Sequence, residues 1–406
     1  MRKIRTLYIT NLGLLDNLAQ TQILPYLEGL SREGIAIHIF SFEKKEYLAD
    51  APKVDRLKRR LNDLKIGWEY LIYHRRWGNA VDLLGGFVRS YKIAKRRDVS
   101  IVHARSSIPI LIGWIVAKLL KRKIIYDRRG TMVGDFVDDV NIKNIFSIRI
   151  FSIILDNIES FLIRHSDATI VLTKKAVDEF KKDPRLSGSS IITEAIPCCV
   201  NIAEFEKGNF QGDADLGLEG KFTICYIGSL GTCYLLEEMA RFYKALKGLK
   251  DNTVFLIISH TGKRYIEDIL KKEGLESMVD YIIIDSSPEK VPHYLSQSKC
   301  SIMFIKPVDC KIGSSPTKFG ESLACGVPVI INRRIGDTEA IVRDRQVGVI
   351  VENLDMEAYK KSLSELFMLL AEDGLKERCY AAARELLSLD LGIERYMNVY
   401  KKVYAI

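Results

Sequence analysis

Residues 313–330 read GSSPTKFGESLACGVPVI, and this stretch predicts more about the chain than any other. Small and hydroxylated residues lead into a predicted helix, which ends at Cys325-Gly326 before Pro328 opens the apolar strand PVIIN. A helix followed at once by a short β-branched strand is typical of a parallel sheet covered by helices. The stretch therefore predicts an α/β fold.

The start of this helix has the chemistry of a phosphate site. The first N–H groups of a helix have no partner within it and carry the positive end of its dipole. Lys318 adds a cation in the first turn, and Glu321 stands about one turn inside, where a carboxylate can accept two hydrogen bonds from a ribose diol. Together they predict a nucleotide-sugar site, although an ordinary capped helix accounts for the same residues.

Strand-like and helix-like segments alternate along almost the whole chain. The strand candidates are RTLYIT, IAIHIF, EYLIY, SIVHAR, KIIYD, ATIVLT and SIITEAI, then FTICYIG, TVFLIIS, DYIIID, CSIMFIK, PVIIN and VGVIVE. A polar, Gly-rich segment between the two sets, NIAEFEKGNFQGDADLGLEGK, is interpreted as a linker. This predicts two doubly wound, Rossmann-like domains, 1–200 and 218–385, facing a cleft that holds the ligand. The last segment, 386–406, is predicted to be a helix that returns to the first domain.

Length and composition exclude several classes of protein. At 406 residues the chain exceeds the roughly 250 to 300 residues of a single core, and 47% hydrophobic with 28% charged residues is globular composition. Eight cysteines without metal-ligand spacing fit reduced cytosolic thiols. The longest apolar run, IPILIGWIVA from Ile108, is about half of a bilayer span. We expect a cytoplasmic protein, or a peripheral one on the inner face of the cell membrane.

The net charge of +9 is concentrated in basic clusters in the first third of the chain. They are Lys58-Arg59-Arg60, His74-Arg75-Arg76, Lys95-Arg96-Arg97 and Lys121-Arg122-Lys123. Nucleic acid is not an expected partner, because no recognition motif accompanies the charge. The helix candidates 80–97 and 108–122 combine these cations with large apolar residues, a pattern typical of an interfacial helix on anionic lipid and also of a helix packed within a domain. Both interpretations stay open.

Several segments, in order along nearly the whole chain, resemble one family. They are GLLDNLAQTQILPYLEGLSREG (13–34), IVHARSSIPILIG (101–113), IIYDRRG (124–130), DATIVLTKKAVDEF (167–180), AIPCCVNIAEF (195–205), CYIGSLGTCY (225–234), SSPTKFGESLACGVPVI (314–330) and INRRIGDTEAIV (331–342). The chain resembles the retaining GT-B glycosyltransferases of family 4, and within them bacterial members that build surface polysaccharides or glycans on lipid carriers. The resemblance implies transfer of a sugar from a nucleoside-diphosphate-sugar, with a UDP-sugar expected, to a glycan or lipid-linked acceptor with retained configuration. It also implies that the first domain, 1–200, binds the acceptor and that the second, 218–385, binds the nucleotide-sugar.

The resemblance assigns donor roles to residues of the second domain. Lys318 and the backbone N–H groups near it would face the diphosphate, and Glu321 matches the second glutamate of the family's Glu, seven residues, Glu pattern. The full set of donor-binding candidates is Gly13, Gly228, Ser229, Thr317, Lys318, Phe319, Gly320 and Glu321. The chain departs from the family at Gly313, where the first glutamate would stand, at Ser229, where an arginine is common, and near Tyr234, where a lysine is common. Lys318, Lys306, Lys311 or Arg264 is expected to supply the missing charge.

The catalytic candidates lie at predicted strand ends of the first domain. Arg105 ends SIVHAR, and Asp127 and Arg129 end or follow KIIYD. We expect Arg129 to orient or neutralise the transferred group with Asp127 holding it, while a simple Asp–Arg pair at the strand end is the alternative. His103 stands in mid-strand and is interpreted as a core histidine. Asp135 is a weaker candidate for an acceptor contact.

No metal or other cofactor is expected. Asp213-Ala214-Asp215 has the Asp-x-Asp form that holds manganese in another transferase fold, but here it lies in the predicted linker and is interpreted as a solvated turn. The missing arginine, lysine and first glutamate leave a second hypothesis open, a catalytically degenerate GT-B protein that serves as a binding partner in polysaccharide assembly. A sugar-nucleotide epimerase on the same fold is a third.

Overall fold

The computed structural model describes residues 3–74, 79–137, 145–186, 191–205, 216–231, 233–308 and 313–406, with backbone alone at 79–80, 135–137 and 145–148. The chain forms two compact units. The first comprises Met1–Pro197 together with Leu389–Ile406, and the second comprises Cys198–Ser388. The acceptor role predicted for the first domain and the donor role predicted for the second stay predictions.

The first unit is built on a parallel sheet of seven strands in the order β3-β2-β1-β4-β5-β6-β7. The strands are β1 (Arg5–Thr10), β2 (Ala36–Glu43), β3 (Gly67–Ile72), β4 (Ile101–Arg105), β5 (Lys123–Asp127), β6 (Ala168–Val171) and β7 (Ile192–Ala195). The helices are α1 (Asn17–Gln22), α2 (Leu24–Arg32), α3 (Lys45–Leu48), α4 (Ala51–Asp63), α5 (Asn79–Arg96), α6 (Ser107–Leu120), α7 (Met132–Val137), α8 (Ile145–Arg164), α9 (Lys174–Lys182) and the terminal α18 (Leu389–Ala405).

Alternation along the central strands separates the two faces of this sheet. Because successive side chains of a strand point to opposite faces, odd and even residues meet different helices. On one face the apolar side chains of β1, β4 and β5 pack with α5, α6 and α8 in a single core, which includes Leu7, Val102, Ala104, Ile124 and Ile93. The other face of the same strands carries polar and aromatic side chains, among them Tyr8, His103 and Asp127.

The terminal helix α18 covers that second face. It packs against α2, β5 and β7. A Cβ atom placed on Gly29 of α2 would lie 2.2 Å from Cδ1 of Ile393, so the approach of the two helices requires glycine at this position. The rings of Tyr26 and Tyr396 meet edge to face, with 5.3 Å between centroids. The terminal helix thus belongs to the first compact unit.

The second unit contains a parallel sheet of six strands in the order β10-β9-β8-β11-β12-β13. The strands are β8 (Phe222–Ile227), β9 (Thr253–Ile258), β10 (Tyr281–Ile284), β11 (Cys300–Met303), β12 (Val329–Asn332) and β13 (Gly348–Val351). The helices are α10 (Ile202–Phe205), α11 (Leu236–Lys247), α12 (Lys263–Lys272), α13 (Val291–Ser296), α14 (Thr317–Ala324), α15 (Thr338–Arg345), α16 (Met356–Leu370) and α17 (Leu375–Leu387).

Strand order places a binding position in each unit. Both sheets reverse their order beside the first strand of the unit, between β1 and β4 and between β8 and β11. In open parallel sheets, ligands bind outside the carboxyl ends of the strands at such a reversal. The loops that follow β1, β4, β8 and β11 are therefore the places to look for a site. The predicted fold class, two doubly wound units of strands and helices, is confirmed.

Candidate active site

In the second unit, the loop after β8 and the start of α14 lie next to each other. Gly228 directly follows β8 and has a φ of 127°, a conformation that favours glycine. A Cβ atom there would lie 3.2 Å from Cε of Lys318. The structure thus brings together two donor-binding candidates that are 90 positions apart in sequence.

Lys318 and Glu321 form an ion pair on the first turn of α14. The ammonium nitrogen lies 3.2 Å from Oε2 and 3.4 Å from Oε1 of Glu321. Their side chains are 29% and 13% exposed, so both remain accessible from one side. The predicted phosphate cation and ribose carboxylate are therefore neighbours. A diphosphate would have to draw Lys318 partly away from its carboxylate partner.

The other candidates of this unit contribute backbone or packing. Ser229 is exposed, and its carbonyl oxygen accepts a 2.9 Å hydrogen bond from the Tyr226 hydroxyl. Thr317 is half-buried at the first position of α14, where its N–H group has no partner inside the helix. The Phe319 side chain is 1% exposed and lies in the core. A Cβ atom on Gly320 would lie 2.7 Å from Cγ2 of Val200, so this glycine allows close packing.

Besides Lys318, two of the proposed replacement cations lie in the described part of the chain. Lys306 is exposed and follows β11, and its N–H group donates to the Cys233 carbonyl at 2.9 Å. Arg264 is exposed on the first turn of α12, beside Tyr265, whose hydroxyl would lie 3.7 Å from a Cβ atom on Gly231. The backbone of Lys306 and the neighbour of Arg264 thus contact the segment that follows Gly228. Lys311, Asp213 and Asp215 lie outside the described residues.

The loop after β1 is built around a buried glutamate that the sequence analysis missed. Glu43, at the end of β2, accepts hydrogen bonds from the N–H groups of Leu14 at 2.7 Å and Leu15 at 3.4 Å, and from the Ser41 hydroxyl at 2.6 Å. Burial raises the pKa of this fully enclosed carboxyl group, and these three donors oppose the shift. A Cβ atom on Gly13 would lie 2.5 Å from Glu43 Oε2. The close approach of Glu43 therefore requires glycine at position 13. The N–H groups of Leu14 and Leu15 in this loop are already bonded to Glu43.

The three catalytic candidates of the first unit form one buried cluster. Asp127 Oδ1 lies 2.7 Å from Nε of Arg129, and Oδ2 accepts from Nη2 of Arg129 at 3.0 Å and Nη1 of Arg105 at 3.3 Å. The Asp127 side chain is fully buried, while Arg105 and Arg129 keep 8% and 10% of their side-chain surface. In this conformation a substrate could therefore contact the two arginines directly, but it could not contact Asp127.

Aromatic residues and a histidine complete this cluster from α18 and the neighbouring strands. The Tyr396 hydroxyl donates to Asp127 Oδ2 at 2.9 Å and also contacts Arg129. The Tyr400 hydroxyl lies 2.8 Å from Nδ1 of His103, whose Nε2 is 3.4 Å from Asp127. Tyr8 packs on the His103 ring with 4.7 Å between centroids. The cluster therefore fastens α18 to the ends of β4 and β5, whatever its chemical role.

Electrostatics fix the protonation of this cluster. Burial alone would raise the pKa of Asp127, but the guanidinium groups of Arg129 and Arg105, together with His103, hold it far below its usual range. Burial lowers the pKa of His103, and it raises that of Tyr8 to about 12 and that of Tyr396 well above its usual value. At neutral pH the cluster thus contains a carboxylate, two guanidinium groups, a neutral imidazole and neutral phenols. His103 has no access to solvent, in agreement with its interpretation as a core histidine.

Arg128 turns to the opposite face of the sheet. Its Nε and Nη2 donate to the two carboxylate oxygens of Glu159 on α8, at 3.0 and 3.1 Å. Glu159 also accepts from the Tyr126 hydroxyl at 2.9 Å and from the Met132 N–H group at 3.1 Å. Consecutive residues at the end of β5 therefore hold helices on both faces.

The basic clusters of the first unit lie mostly on its surface. Lys58, Arg59, Arg60, Lys95, Arg96, Arg97 and Lys121 are exposed, and Arg122 and Lys123 are half-buried. Arg75 and Arg76, and the side chain of Asp135, lie outside the described parts of the chain. Among the residues that the structure describes, no helix combines the length and apolar character needed to cross a bilayer, and no group of three or more His, Cys, Asp or Glu could hold a metal ion.

A comparison with known protein families supports a sugar-transferring second unit. Residues 213–386 match the family model of glycosyl transferases group 1. The matched span contains the loop after β8 and the whole of α14 with Lys318 and Glu321. None of the curated proteins matches the chain significantly.

Solved structures match both units together. A glycosyltransferase from Rickettsia africae ESF-5 matches with a TM-score of 0.66 and 16% identity over 99% of each chain. Sucrose-phosphate synthase from Thermosynechococcus elongatus gives 0.70 and 14% over 99% of this chain and 100% of that one. HepE from Anabaena, solved with UDP and glucose, gives 0.66 and 12% over 97% and 98%. At these identities the similarity establishes the GT-B fold, and with the family-model match it supports a glycosyltransferase.

Proposed function

We propose that this protein transfers a sugar from a nucleoside-diphosphate-sugar to a glycan or lipid-linked acceptor with retention of configuration. The observation that carries the proposal is the family-model match over residues 213–386, because that span holds the Lys318–Glu321 pair beside the Gly228 loop. A cation, free helix N–H groups and a carboxylate at one strand edge suit a diphosphate joined to a ribose.

The donor is proposed to be a UDP-sugar. HepE, one of the similar structures, was solved in complex with UDP and glucose, which supports this nucleotide. Lys318 and the N–H groups at the start of α14 would stabilise the charge that develops on the diphosphate as the bond from the anomeric carbon to its phosphate oxygen breaks. Glu321 would accept hydrogen bonds from the ribose hydroxyls. These residues require no metal ion for either task.

In the first unit, Arg129 is proposed to contact the transferred sugar or the acceptor. It is the most exposed member of the buried cluster, and Asp127 fixes two of its nitrogens. Arg105 shares the same carboxylate and would hold Asp127 in its charged form. The acceptor hydroxyl forms the new bond to the anomeric carbon on the face that the leaving diphosphate vacates, and its proton leaves with the diphosphate or with solvent.

The acceptor is proposed to be carried on a lipid, in the biosynthesis of cell-surface polysaccharide or glycolipid, with the enzyme peripheral on the cytoplasmic face of the membrane. The exposed basic clusters of the first unit support this, because each cation near an anionic surface contributes about 1 kcal/mol to binding.

A thermal-shift screen with UDP-, GDP- and ADP-sugars tests the donor assignment. Ligand at a hundred times its dissociation constant stabilises a protein by about 2.7 kcal/mol, so the correct nucleotide raises the melting temperature clearly. Turnover of that donor, followed by determination of the anomeric configuration of the product, then tests transfer and retention. If none of the sugars shifts the melting temperature, the proposed site is wrong.

The absence of the family's arginine at Ser229 and glutamate at Gly313 favours one alternative, a degenerate GT-B protein that binds without catalysis. That alternative predicts a thermal shift with the donor but no transfer or hydrolysis with extracts that contain lipid-linked glycans. Transfer to any such acceptor would exclude it.

A further inference from the structure

Three helices of the first unit expose an unusual amount of apolar surface. In the described part of the chain, twenty large hydrophobic side chains are exposed, and ten of them lie on α5, α6 and α8. They are Val81, Leu84 and Val88 on α5, Ile115 and Leu119 on α6, and Ile150, Ile153, Ile154, Ile158 and Phe161 on α8. The exposed hydrophobics of the second unit are scattered over several elements. Contiguous apolar patches on a protein surface mark interaction sites.

These side chains lie on neighbouring helices. α5 packs against α6 and α6 packs against α8, all on the same face of the seven-stranded sheet. Each helix buries a different set of residues in the core, such as Ile93, Val116 and Leu155, so the exposed set belongs to the outward face. The spacing agrees, because residues three, four or eight positions apart share a helix face.

The junction of α6 and α8 joins the apolar faces. The rings of Trp114 and Phe161 meet edge to face with 5.4 Å between centroids. The Lys118 ammonium lies 5.7 Å from the centre of the Trp114 ring, so a cation stands within the apolar surface. Lysine on an aromatic ring, surrounded by aliphatic side chains, is a pattern found where proteins meet the boundary between lipid tails and headgroups.

The exposed charges described on these helices have one sign. The exposed charged side chains described on α5, α6 and α8 are all cations, namely Arg89, Lys92, Lys95, Arg96, Lys118, Arg149 and Arg164. Of these, Arg89 and Arg96 pair with Glu69 of β3. The acidic side chains described on these helices are not exposed. Asp82 and Glu159 are buried and paired, and Asp156 is half-buried. Arg149 and Arg164 stand near the two ends of α8.

We infer that α5, α6 and α8 form a docking surface for an anionic lipid bilayer, with the side chains of α8 entering the headgroup region. Aliphatic groups provide insertion and the interspersed cations match anionic headgroups. A second copy of the chain is a poorer occupant, because two such surfaces would oppose each other with cations alone. The inference deepens the proposed lipid-linked acceptor, but it predicts binding that requires neither donor nor turnover.

The test is flotation of the full chain with vesicles of phosphatidylcholine and phosphatidylglycerol, at low and high salt. Wild type is expected to float at low salt and to retain part of its binding at high salt, because insertion is not screened. Ile153→Gln with Ile154→Gln should lower the affinity at least about tenfold at both salt concentrations, since these side chains are 54% and 50% exposed. Arg149→Gln with Arg164→Gln should lower binding about thirtyfold at low salt alone.

Leu249→Gln with Met368→Gln is the matched control, because these side chains of the second unit are 53% and 65% exposed and the loss of apolar surface is similar. The control is expected to float like wild type. Val81→Gln with Leu84→Gln makes the same test on α5 if the α8 variant does not fold.

Three results would overturn the inference. They are wild type that stays unbound on anionic vesicles at low salt, an α8 variant that floats like wild type, and a wild-type dimer that the α8 variant dissociates. The UDP-sugar thermal shift is measured on the same proteins. If UDP-sugars do not shift the melting temperature of wild type, the proposed function is contradicted. If wild type shows the shift but does not float, only the docking surface is contradicted.

Discussion

Replacing Tyr396 with phenylalanine removes one hydroxyl group from the centre of the buried cluster and leaves its shape unchanged. The hydroxyl donates to Asp127 at 2.9 Å and also contacts the Arg129 guanidinium. Burial holds the pKa of Tyr396 well above its usual value, so it is a neutral donor at any assay pH near neutrality. The ring packs between Tyr26 and His103, at 5.3 and 5.8 Å between centroids, and these contacts remain in the variant.

The expected loss of stability follows from the partner's charge. A hydrogen bond to a charged group contributes roughly 1.5 to 3 kcal/mol. Asp127 keeps both arginine partners, so we expect a loss near the lower end, about 2 kcal/mol of the free energy of unfolding. For a unit of this size, such a loss lowers the melting temperature by roughly 4 to 8 °C. Thermal unfolding measured by circular dichroism checks this value.

Turnover separates a catalytic cluster from a structural one. If Arg129 contacts the reacting groups, losing the Tyr396 hydroxyl shifts its guanidinium, and a small misplacement at a reacting centre lowers kcat by roughly 10- to 100-fold. The KM for the donor should change little, because its predicted ligands other than Gly13 lie in the second unit. Steady-state kinetics with the donor found by thermal shift measures both constants.

Tyr400→Phe is the matched control, one turn further along α18. This variant removes the hydrogen bonds of the Tyr400 hydroxyl with His103, at 2.8 Å, and with Thr6, at 3.5 Å. The Tyr400 hydroxyl makes no hydrogen bond to Arg129 or Asp127. We expect a stability loss of about 1 kcal/mol and unchanged kcat. Wild-type kcat in Tyr396→Phe would refute the assignment of Arg129. Equal losses of kcat in both variants would show that anchoring of α18, and not the position of Arg129, limits turnover.

Three further predictions concern the donor side and the loop after β1. Lys318→Ala and Glu321→Ala should each lower turnover about a hundredfold or more without unfolding the protein, since such a site contributes roughly 2 to 4 kcal/mol; wild-type turnover in both would contradict the site. Activity should survive EDTA, and its loss with rescue by manganese or magnesium would show that a metal takes part. Gly13→Ala should destabilise the protein by about 1 to 3 kcal/mol, because the new methyl group would lie 2.5 Å from Glu43 Oε2; an unchanged melting temperature would contradict the close contact.

The strands could be predicted because each is a short apolar, β-branched run bounded by turn residues. All thirteen predicted segments coincide with strands of the structure, from RTLYIT at β1 to VGVIVE at β13. The neighbourhood of Gly228 and α14 was also within reach, because in a parallel sheet the end of a strand and the start of a helix meet at one edge. Local pattern was sufficient for these features.

The buried cluster could be predicted only in part. Asp127, Arg105 and Arg129 were recognised as strand-end residues, but Tyr396 lies 269 positions from Asp127 and Tyr400 lies 297 from His103. The periodicity of α18 indicates an aromatic face without fixing what that face contacts. Glu43 was missed for a related reason, since a carboxylate at a strand end gives no sign that it will turn inward to bond a loop.

The exposed face of α8 was beyond sequence reasoning. Its sequence, IFSIRIFSIILDNIESFLIR, is apolar on both sides of the helix, and apolar residues are by default assigned to a core. The structure gives Leu155 and Leu162 to the core and leaves Ile153 and Ile154 at the surface. Only packing against α6 and the sheet decides which side is covered.

The end of β5 connects the two features that the proposals depend on. Asp127 and Arg129 bond α18 on one face of the sheet, and Arg128 between them bonds Glu159 of α8 on the other. β5 ends at Asp127, and the hydrogen bonds of Asp127 and of the two arginines that follow it hold the proposed catalytic cluster on one face and the proposed lipid-facing helix on the other. An acceptor lipid held at the α8 surface would then be presented at a set distance from Arg129. This arrangement gives a physical reason for Asp-Arg-Arg at a strand end, where a single Asp–Arg pair would fasten only one face.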